Sequence, residues 1–227
     1  MNQPSLTTHL SQIISEIPPQ VRVIAVSKTV EEGKIRCIYA TGMRDFAENK
    51  LQEALEKQAK LSDLKDITWH FIGHLQSNKA KKAIESFPWI HSVDSLKIAE
   101  KLNRHAEETL QEGIISQLPQ ICLQVKILPD ESKFGWEIDQ LWGDLDRLKQ
   151  LKFLRIRGLM VILPLGLTSD QCFQAFEKAS HLKDELQEEL GDNFDQLSMG
   201  MSGDYLLAIK AGATMIRLGT IIFGKRN

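Results

Sequence analysis

Two patches of the sequence carry residue types that chemistry uses, and they stand at opposite ends of the chain. Near the start, the apolar run VIAVS is followed by Lys28; near the end, GMSGD (200–204) and RLGT (217–220) bring Ser202, Arg217, Gly219 and Thr220. Gly200, Gly203 and Gly219 let backbone approach a ligand closely, and the Ser202 hydroxyl with a helix-initiating amide suits an anion, above all a phosphate. Glycine after a strand is also an ordinary turn, so these loops alone leave a phosphate site and a plain turn both open. Lys28 has two readings as well. At the end of an apolar run it can simply be solvated; partly desolvated and close to another cation such as Arg217, its amine becomes a nucleophile that forms a Schiff base with a carbonyl. A phosphorylated aldehyde satisfies both patches, and pyridoxal phosphate is the first candidate.

The elements that must bring these patches together are repeated strand–helix units. β-rich runs occur at 22–28, 44–49, 67–73, 89–94, 121–127, 153–162, 196–201 and 215–220, each followed by a helical pattern. Several runs are nearly continuously apolar, as parallel strands covered by helices are. Thr168 and Gln171 have the spacing of a capping box, and Phe173, Phe176, Ala179, Leu182 and Leu186 then recur at helical intervals before Gly191. A second stripe runs from Leu96 through Ala99, Leu102 and Ala106 to Leu110. Ser5 to Ile17 reads as an extra helix closed by Pro18 and Pro19, placed to plug the bottom of a barrel. Eight units in this length predict a (β/α)₈ TIM barrel, a single domain over 1–227 with an extra N-terminal helix. An open doubly wound sheet is disfavoured because SKTVEEGK, after the first run, contains no glycine-rich phosphate turn. In a closed barrel the last strand lies beside the first, so Lys28 projects toward Ser202, Gly219 and Thr220. Barrel active sites lie at that carboxyl end of the strands.

Composition excludes several classes. The 227 residues are 42% hydrophobic and 26% charged, and 28 basic against 30 acidic residues give a net charge of −2. Collagen-like, disordered and coiled-coil readings do not fit, and no overall charge drives the chain toward nucleic acid or an anionic membrane. The longest apolar stretch, Gly158 to Leu167, is broken by Pro164 and falls short of the roughly 20 residues of a membrane span. No secretory signal is legible at the N-terminus, so a cytoplasmic protein is expected. Cys37, Cys122 and Cys172 are odd in number and far apart, which predicts reduced core thiols. In KLQEALEKQAK (50–60) and SNKAKKAIE (77–85) the basic residues read as solvated helix faces, not an RNA site. His70 and His74 are four apart, but on a strand and loop with no companion carboxylate nearby they predict no metal site. Trp69, Trp89, Trp136 and Trp142 read as packing residues, with Trp136 also placed to line an entrance.

Seven segments then occur in order: AVSK (25–28), FAENKLQE (46–53), WHFIGHLQSNK (69–79), HSVDS (91–95), GLM (158–160), LSMGMSGD (197–204) and RLGTIIFGKR (217–226). By these motifs, spanning nearly the whole chain, the sequence resembles the pyridoxal phosphate homeostasis proteins, whose fold is similar to the barrel domain of bacterial alanine racemase. The resemblance implies that Lys28 carries pyridoxal 5'-phosphate (PLP) as an internal aldimine, that Ser202, Gly219 and Thr220 hold its phosphate, and that Arg217 faces the pyridine nitrogen. Asn49 and His74 would stand at the cofactor's face or rim. Two positions depart from the family pattern: Ala47 where glycine is usual and Lys126 where asparagine is common. A cation at the ring nitrogen disfavours ring protonation and weakens the ring as an electron sink. The expected function is therefore a monomeric PLP carrier serving cofactor, amino-acid and keto-acid balance, with PLP-dependent apoenzymes as partners and no catalytic residue. The alternative is a PLP-dependent amino-acid racemase. The related racemases bring a catalytic tyrosine on a second, β-rich domain, whereas Tyr39 and Tyr205, the two tyrosines here, are predicted on helices. A barrel acting on a phosphorylated metabolite without PLP is the third reading.

Overall fold

In the computed structural model, which describes residues 3–224, eight parallel strands pair in chain order and the last returns to the first. They are β1 (Arg22–Val26), β2 (Asp45–Glu48), β3 (Thr68–Phe71), β4 (Trp89–Val93), β5 (Gln120–Gln124), β6 (Arg155–Met160), β7 (Gln196–Met201) and β8 (Met215–Leu218). The register Arg22↔Met215 to Ala25↔Leu218 closes the barrel. Between and around the strands lie α1 (Gln3–Ser15), α2 (Glu32–Tyr39), α3 (Leu51–Lys60), α4 (Ala80–Ser86), α5 (Leu96–Gln111), α6 (Ile138–Leu148), α7 (Ser169–Leu190), α8 (Tyr205–Lys210) and α9 (Thr220–Phe223). This is the (β/α)₈ barrel with an extra N-terminal helix that the alternation predicts. The strands mostly stop short of the sequence runs: the ladder ends, and the next two or three residues turn toward the barrel mouth. Lys28 thus lies two residues past β1.

Local chemistry fixes the helices. Thr168 and Gln171 form the capping box in full: the Gln171 amide donates to Thr168 Oγ1 at 3.2 Å and the Thr168 amide to Gln171 Oε1 at 2.9 Å. Gly191 then ends α7 at a φ of 89°. The helix α1 packs against α2 and α9 and buries Leu10 and Ile13, so it completes the outer helical layer instead of plugging the barrel's bottom. Its stripe is apolar on one side only, which suits a wall better than a plug surrounded by strands.

The pleat divides the core in two. Outward residues such as Ala25, Phe46, Phe71, Ile90 and Leu123 join the helices in the main core. Inward residues Ile24, Val26, Ala47, Trp89, Cys122, Met160 and Met215 form a smaller cluster inside the barrel. The interior is not wholly apolar, because His70, His91, Ser198 and Arg217 are also buried there. Cys122 is sealed inside, and burial pushes its thiol up to about 12. Cys37 and Cys172 are half-buried instead of core residues, and all three are free thiols. Trp136 is fully buried, with its indole Nε1 donating to Asp144 at 2.9 Å, so it packs and lines no entrance. No described helix is long and apolar enough to cross a membrane.

Candidate functional site

At the carboxyl ends of the strands, Lys28, Asn49, Ser202, Arg217, Gly219 and Thr220 line one cavity of about 410 Å³. Val26, Ile72, Ile162 and Met201 supply apolar walls, and the described lining contains two cations, two hydroxyls and an amide but no carboxylate. A second cavity of about 390 Å³ adjoins it, sharing Lys28, Gly219 and Thr220 and adding Lys34 and Glu31 from the loop and helix after β1. The combination of positive charge, small polar donors and apolar walls is suited to an anionic ligand with an apolar body. Gly73 is required by the wall itself: a Cβ there would fall 2.0 Å from the Asn49 carbonyl oxygen. Gly200, with φ of 90°, answers to the protein's own packing, since a Cβ would meet that of Ala208 at 2.6 Å. It does not line the cavity, so its role differs from the ligand approach expected of it.

The half-buried Lys28 stands on a clamped turn. On one side Ser27 is buried; its hydroxyl donates to Glu48 Oε1 at 2.6 Å, and its carbonyl accepts from Lys57 Nζ at 2.6 Å. On the other side the Thr29 amide donates to Glu53 Oε1, and the Val30 amide closes the turn on the Ser27 carbonyl at 2.9 Å. Thr29 has a φ of 62°, unusual for a β-branched residue. Lys57 ties the clamp together by donating also to Glu48 at 2.9 Å and Glu53 at 2.7 Å. Its sequence context reads as a solvated helix face, yet it is only 5% exposed. The face of α3 that carries Glu53 and Lys57 turns toward the end of β1, and no local spacing reveals that. Glu48 is fully buried with Oε2 unpartnered, and burial raises its carboxyl above the usual range against the hydrogen bonds of Ser27 and Lys57.

Across the mouth, Ser202 joins the loops after β7 and β8, accepting from the Gly219 amide at 3.2 Å and the Ile221 amide at 3.4 Å. With both lone pairs engaged, its O–H is what remains to offer. Asp204 Oδ1 accepts from the Met201 amide at 2.6 Å and holds this loop in place. Arg217 is anchored twice: Nη1 donates to Ser198 Oγ and Nη2 to the Val161 carbonyl, both at 2.8 Å. Burial lowers its pKa to about 10, which leaves a cation at neutral pH with three further N–H groups.

His74 stands apart from the other six expected site residues. It lies at the rim, 2.8 Å from Asp94 through Nδ1 and stacked on Phe134 with ring centroids 3.6 Å apart. His70 is inside the barrel, paired with Asp45. Each histidine therefore has a carboxylate, but from a position 20 or 25 residues away, just past β4 for His74 and on β2 for His70, and among the described residues no group of three or more His, Cys, Asp or Glu side chains could hold a metal ion. Tyr39 donates its hydroxyl to Asp66 on the outer surface and Tyr205 is buried on α8; neither lines the cavity. Of the two departures from the family pattern, Ala47 is buried in the inner cluster and Lys126 pairs with Glu137 at 2.5 Å.

Comparison with known proteins matches residues 2–227 to the alanine racemase, N-terminal domain, family. A pyridoxal phosphate homeostasis protein of Synechocystis sp. PCC 6803 is 51% identical over 216 residues, 95% of this chain and 96% of that protein. The chain belongs to the pyridoxal phosphate homeostasis protein family. Another member, from Pseudomonas aeruginosa, is 42% identical over 96% of this chain and 90% of its own length. Among solved structures, PipY of Synechococcus elongatus PCC7942 with PLP bound superposes with a TM-score of 0.90 at 48% identity, covering 96% of this chain and all of that one. The alanine racemase of Clostridium difficile has a TM-score of 0.77 at 14% identity, a likeness of fold, and the match takes in 59% of that longer chain.

Proposed function

We propose that this chain is a PLP carrier that holds the cofactor on Lys28 as a Schiff base and serves intracellular PLP homeostasis and amino-acid and keto-acid balance without catalysing a reaction of its own. One observation carries the reading: six side chains and turns from opposite ends of the sequence converge on a cavity with two cations and no carboxylate in its described lining. The residues fit the group. Lys28 Nζ would supply the amine, the hydroxyls of Ser202 and Thr220 and the backbone at Gly219 would supply small donors for the phosphate, and Asn49 would stand at the ring's face with His74 at the rim. The anchored guanidinium of Arg217 gives hydrogen bonds and accepts none, so it would pair with an unprotonated ring nitrogen and leave the ring a poor electron sink. That property, and the lack of a tyrosine at the cavity among the described residues, support a carrier over a racemase. The same reading takes the carrier as a cytosolic monomer that supplies PLP-dependent apoenzymes.

The test is borohydride reduction of the PLP-incubated protein followed by peptide mass, with Lys28→Ala beside it. A pyridoxyl adduct on Lys28 that is missing from the variant is expected; an adduct scattered over surface lysines, or none, overturns the reading. Solvent-deuterium exchange at the α-carbon of a panel of amino acids separates carrier from racemase, since exchange above the Lys28→Ala background would establish catalysis.

A further inference from the structure

The interior of a (β/α)₈ barrel is ordinarily filled by layers of branched apolar side chains. Here a continuous polar chain crosses it. Asp45 Oδ1, on β2, lies 2.9 Å from His70 Nε2; His70 Nδ1 lies 2.9 Å from His91 Nε2; His91 Nδ1 lies 2.9 Å from Ser198 Oγ. Arg217 Nη1 donates to that same Ser198 oxygen at 2.8 Å. Both histidines and Ser198 are fully buried, so bulk water cannot replace a missing partner.

The direction of every bond follows by elimination. A carboxylate has no hydrogen to give, so His70 donates from Nε2 to Asp45. In a neutral ring Nδ1 is then a lone pair, and His91 must donate to it from Nε2. His91 Nδ1 is in turn a lone pair, which takes the Ser198 O–H. The lone pairs of Ser198 are left for Arg217. Each donor is used once and both rings are neutral. The surroundings agree: burial lowers the basicity of both rings, aided by Arg22 from β1 at His70 and by His70, Arg217 and Arg22 at His91, with Asp45 alone opposing at His70. Trp89 faces both rings, its centroid 5.8 Å from that of His70 and 5.6 Å from that of His91.

We infer that Asp45, His70, His91 and Ser198 form a positioning relay that commits the Ser198 hydroxyl away from Arg217 and thereby aims the guanidinium at the ring nitrogen of the ligand. The inference rests on the PLP reading above. These residues touch no ligand; they act through Arg217. The relay makes the site specific for a ring that presents a lone pair at that point. If the Asp45 acceptor is lost, the cheapest repair is to reverse both rings: His70 Nδ1–H then gives to His91 Nε2, and His91 Nδ1–H to Ser198. Ser198 then accepts from both His91 and Arg217, which occupies its two lone pairs and leaves its buried O–H without an acceptor beside the cation.

The experiment combines tautomer assignment with ligand discrimination. Long-range ¹H–¹⁵N NMR of the unsubstituted protein is expected to show both His70 and His91 as neutral Nε2–H rings at neutral pH; an Nδ1–H or cationic ring overturns the relay. Asp45→Leu is expected to reverse both tautomers, and Asp45→Asn, which keeps an acceptor oxygen, to retain them; retention in Asp45→Leu removes Asp45 from the relay and overturns it. Affinity is then measured for PLP and for its analogue with C–H in place of the ring nitrogen. Ser198→Ala is expected to weaken PLP about tenfold and the analogue less than about twofold. Equal losses for both ligands would mark Ser198 as merely structural and overturn the proposal. Should the unsubstituted protein bind PLP no better than the analogue, the placement of Arg217 at the ring nitrogen fails, and the relay's purpose with it. If instead that preference is present and survives Ser198→Ala, the relay alone is refuted.

Discussion

Lys57→Met isolates the clamp beneath Lys28. In the native structure the side chain of Lys57 is 7% exposed and that of Glu48 0%, and the ammonium places its three hydrogens on Ser27 O, Glu48 and Glu53 at 2.6, 2.9 and 2.7 Å. Methionine keeps most of the volume and removes the charge, so Glu48 remains as a buried carboxylate with only the Ser27 hydroxyl. Breaking a buried pair in this way costs about 3–5 kcal/mol. For a domain of this size that lowers the melting temperature on the order of 10 °C. The pH dependence gives the sharper check. Burial already raises the Glu48 pKa from its ordinary 4.5. A group with a raised native pKa contributes stability that is fully present below the unfolded value and is lost as pH rises through the native value. Removing Lys57 raises the native value further. The penalty relative to the unsubstituted protein is therefore largest at neutral pH and shrinks on acidification, as protonated Glu48 no longer needs a cation. Adding Glu48→Gln to Lys57→Met recovers most of the loss. Urea unfolding of the single and double variants between mildly acidic and neutral pH measures all of this. A cost under about 1 kcal/mol, or a larger one unchanged with pH and unrelieved by Glu48→Gln, would refute the reasoning.

Gly73→Ala forces a Cβ to within 2.0 Å of the Asn49 carbonyl, so the β2 and β3 loops must part; a loss of about 3 kcal/mol in chemical denaturation and weakened PLP binding in absorbance titrations are expected. Thr168→Ala removes one half of the capping box of α7 and lowers stability by about 1 kcal/mol, with PLP affinity unchanged because the cap is outside the cavity lining. Under a mild alkylating agent, mass spectrometry is expected to find label on Cys37 and Cys172 in the native protein and on Cys122 only after unfolding, since that thiol is fully buried and pushed up to about 12.

The barrel was legible because each strand is a short β-rich run followed by a helix pattern, and a closed order follows from eight such units. The convergence of Lys28 with Ser202, Gly219 and Thr220 on one cavity is a consequence of that closure, and needed only the ends of the strands to be placed. What escaped the sequence depends on partners from other units. Lys57 has the local pattern of an exposed helical lysine, and its burial is set by Glu48 and by the carbonyl of Ser27, thirty residues earlier. His70 finds Asp45 across the β2–β3 pair, and His91 finds Ser198 on the opposite wall of the barrel. A signal was available there: Ala47 and His70 are register partners, and His70 alternates with Phe71 as His91 does with Ile90, which assigns both imidazoles to the inner face. The place of α1 was not legible, because an amphipathic stripe tells that a helix has a partner and not which one.

The meeting of β8 with β1 is the one strand pairing that joins the two ends of the chain, and the cavity straddles it. Lys28 belongs to a turn whose clamp is complete within the first sixty residues, whereas Ser202, Arg217, Gly219 and Thr220 belong to the last thirty. A molecule held by both halves is therefore a rivet through the seam. Occupancy feeds directly into the stability of the closed barrel through mass action, by an amount that grows with the logarithm of free ligand over its dissociation constant. Conversely, any fraying of the β8–β1 edge separates the amine from the anion cradle and loosens the ligand's grip. On the carrier reading proposed above, which requires a ligand to be both kept and surrendered, the seam is the natural release point, and the persistence of the fold itself becomes a gauge of how much ligand is at hand.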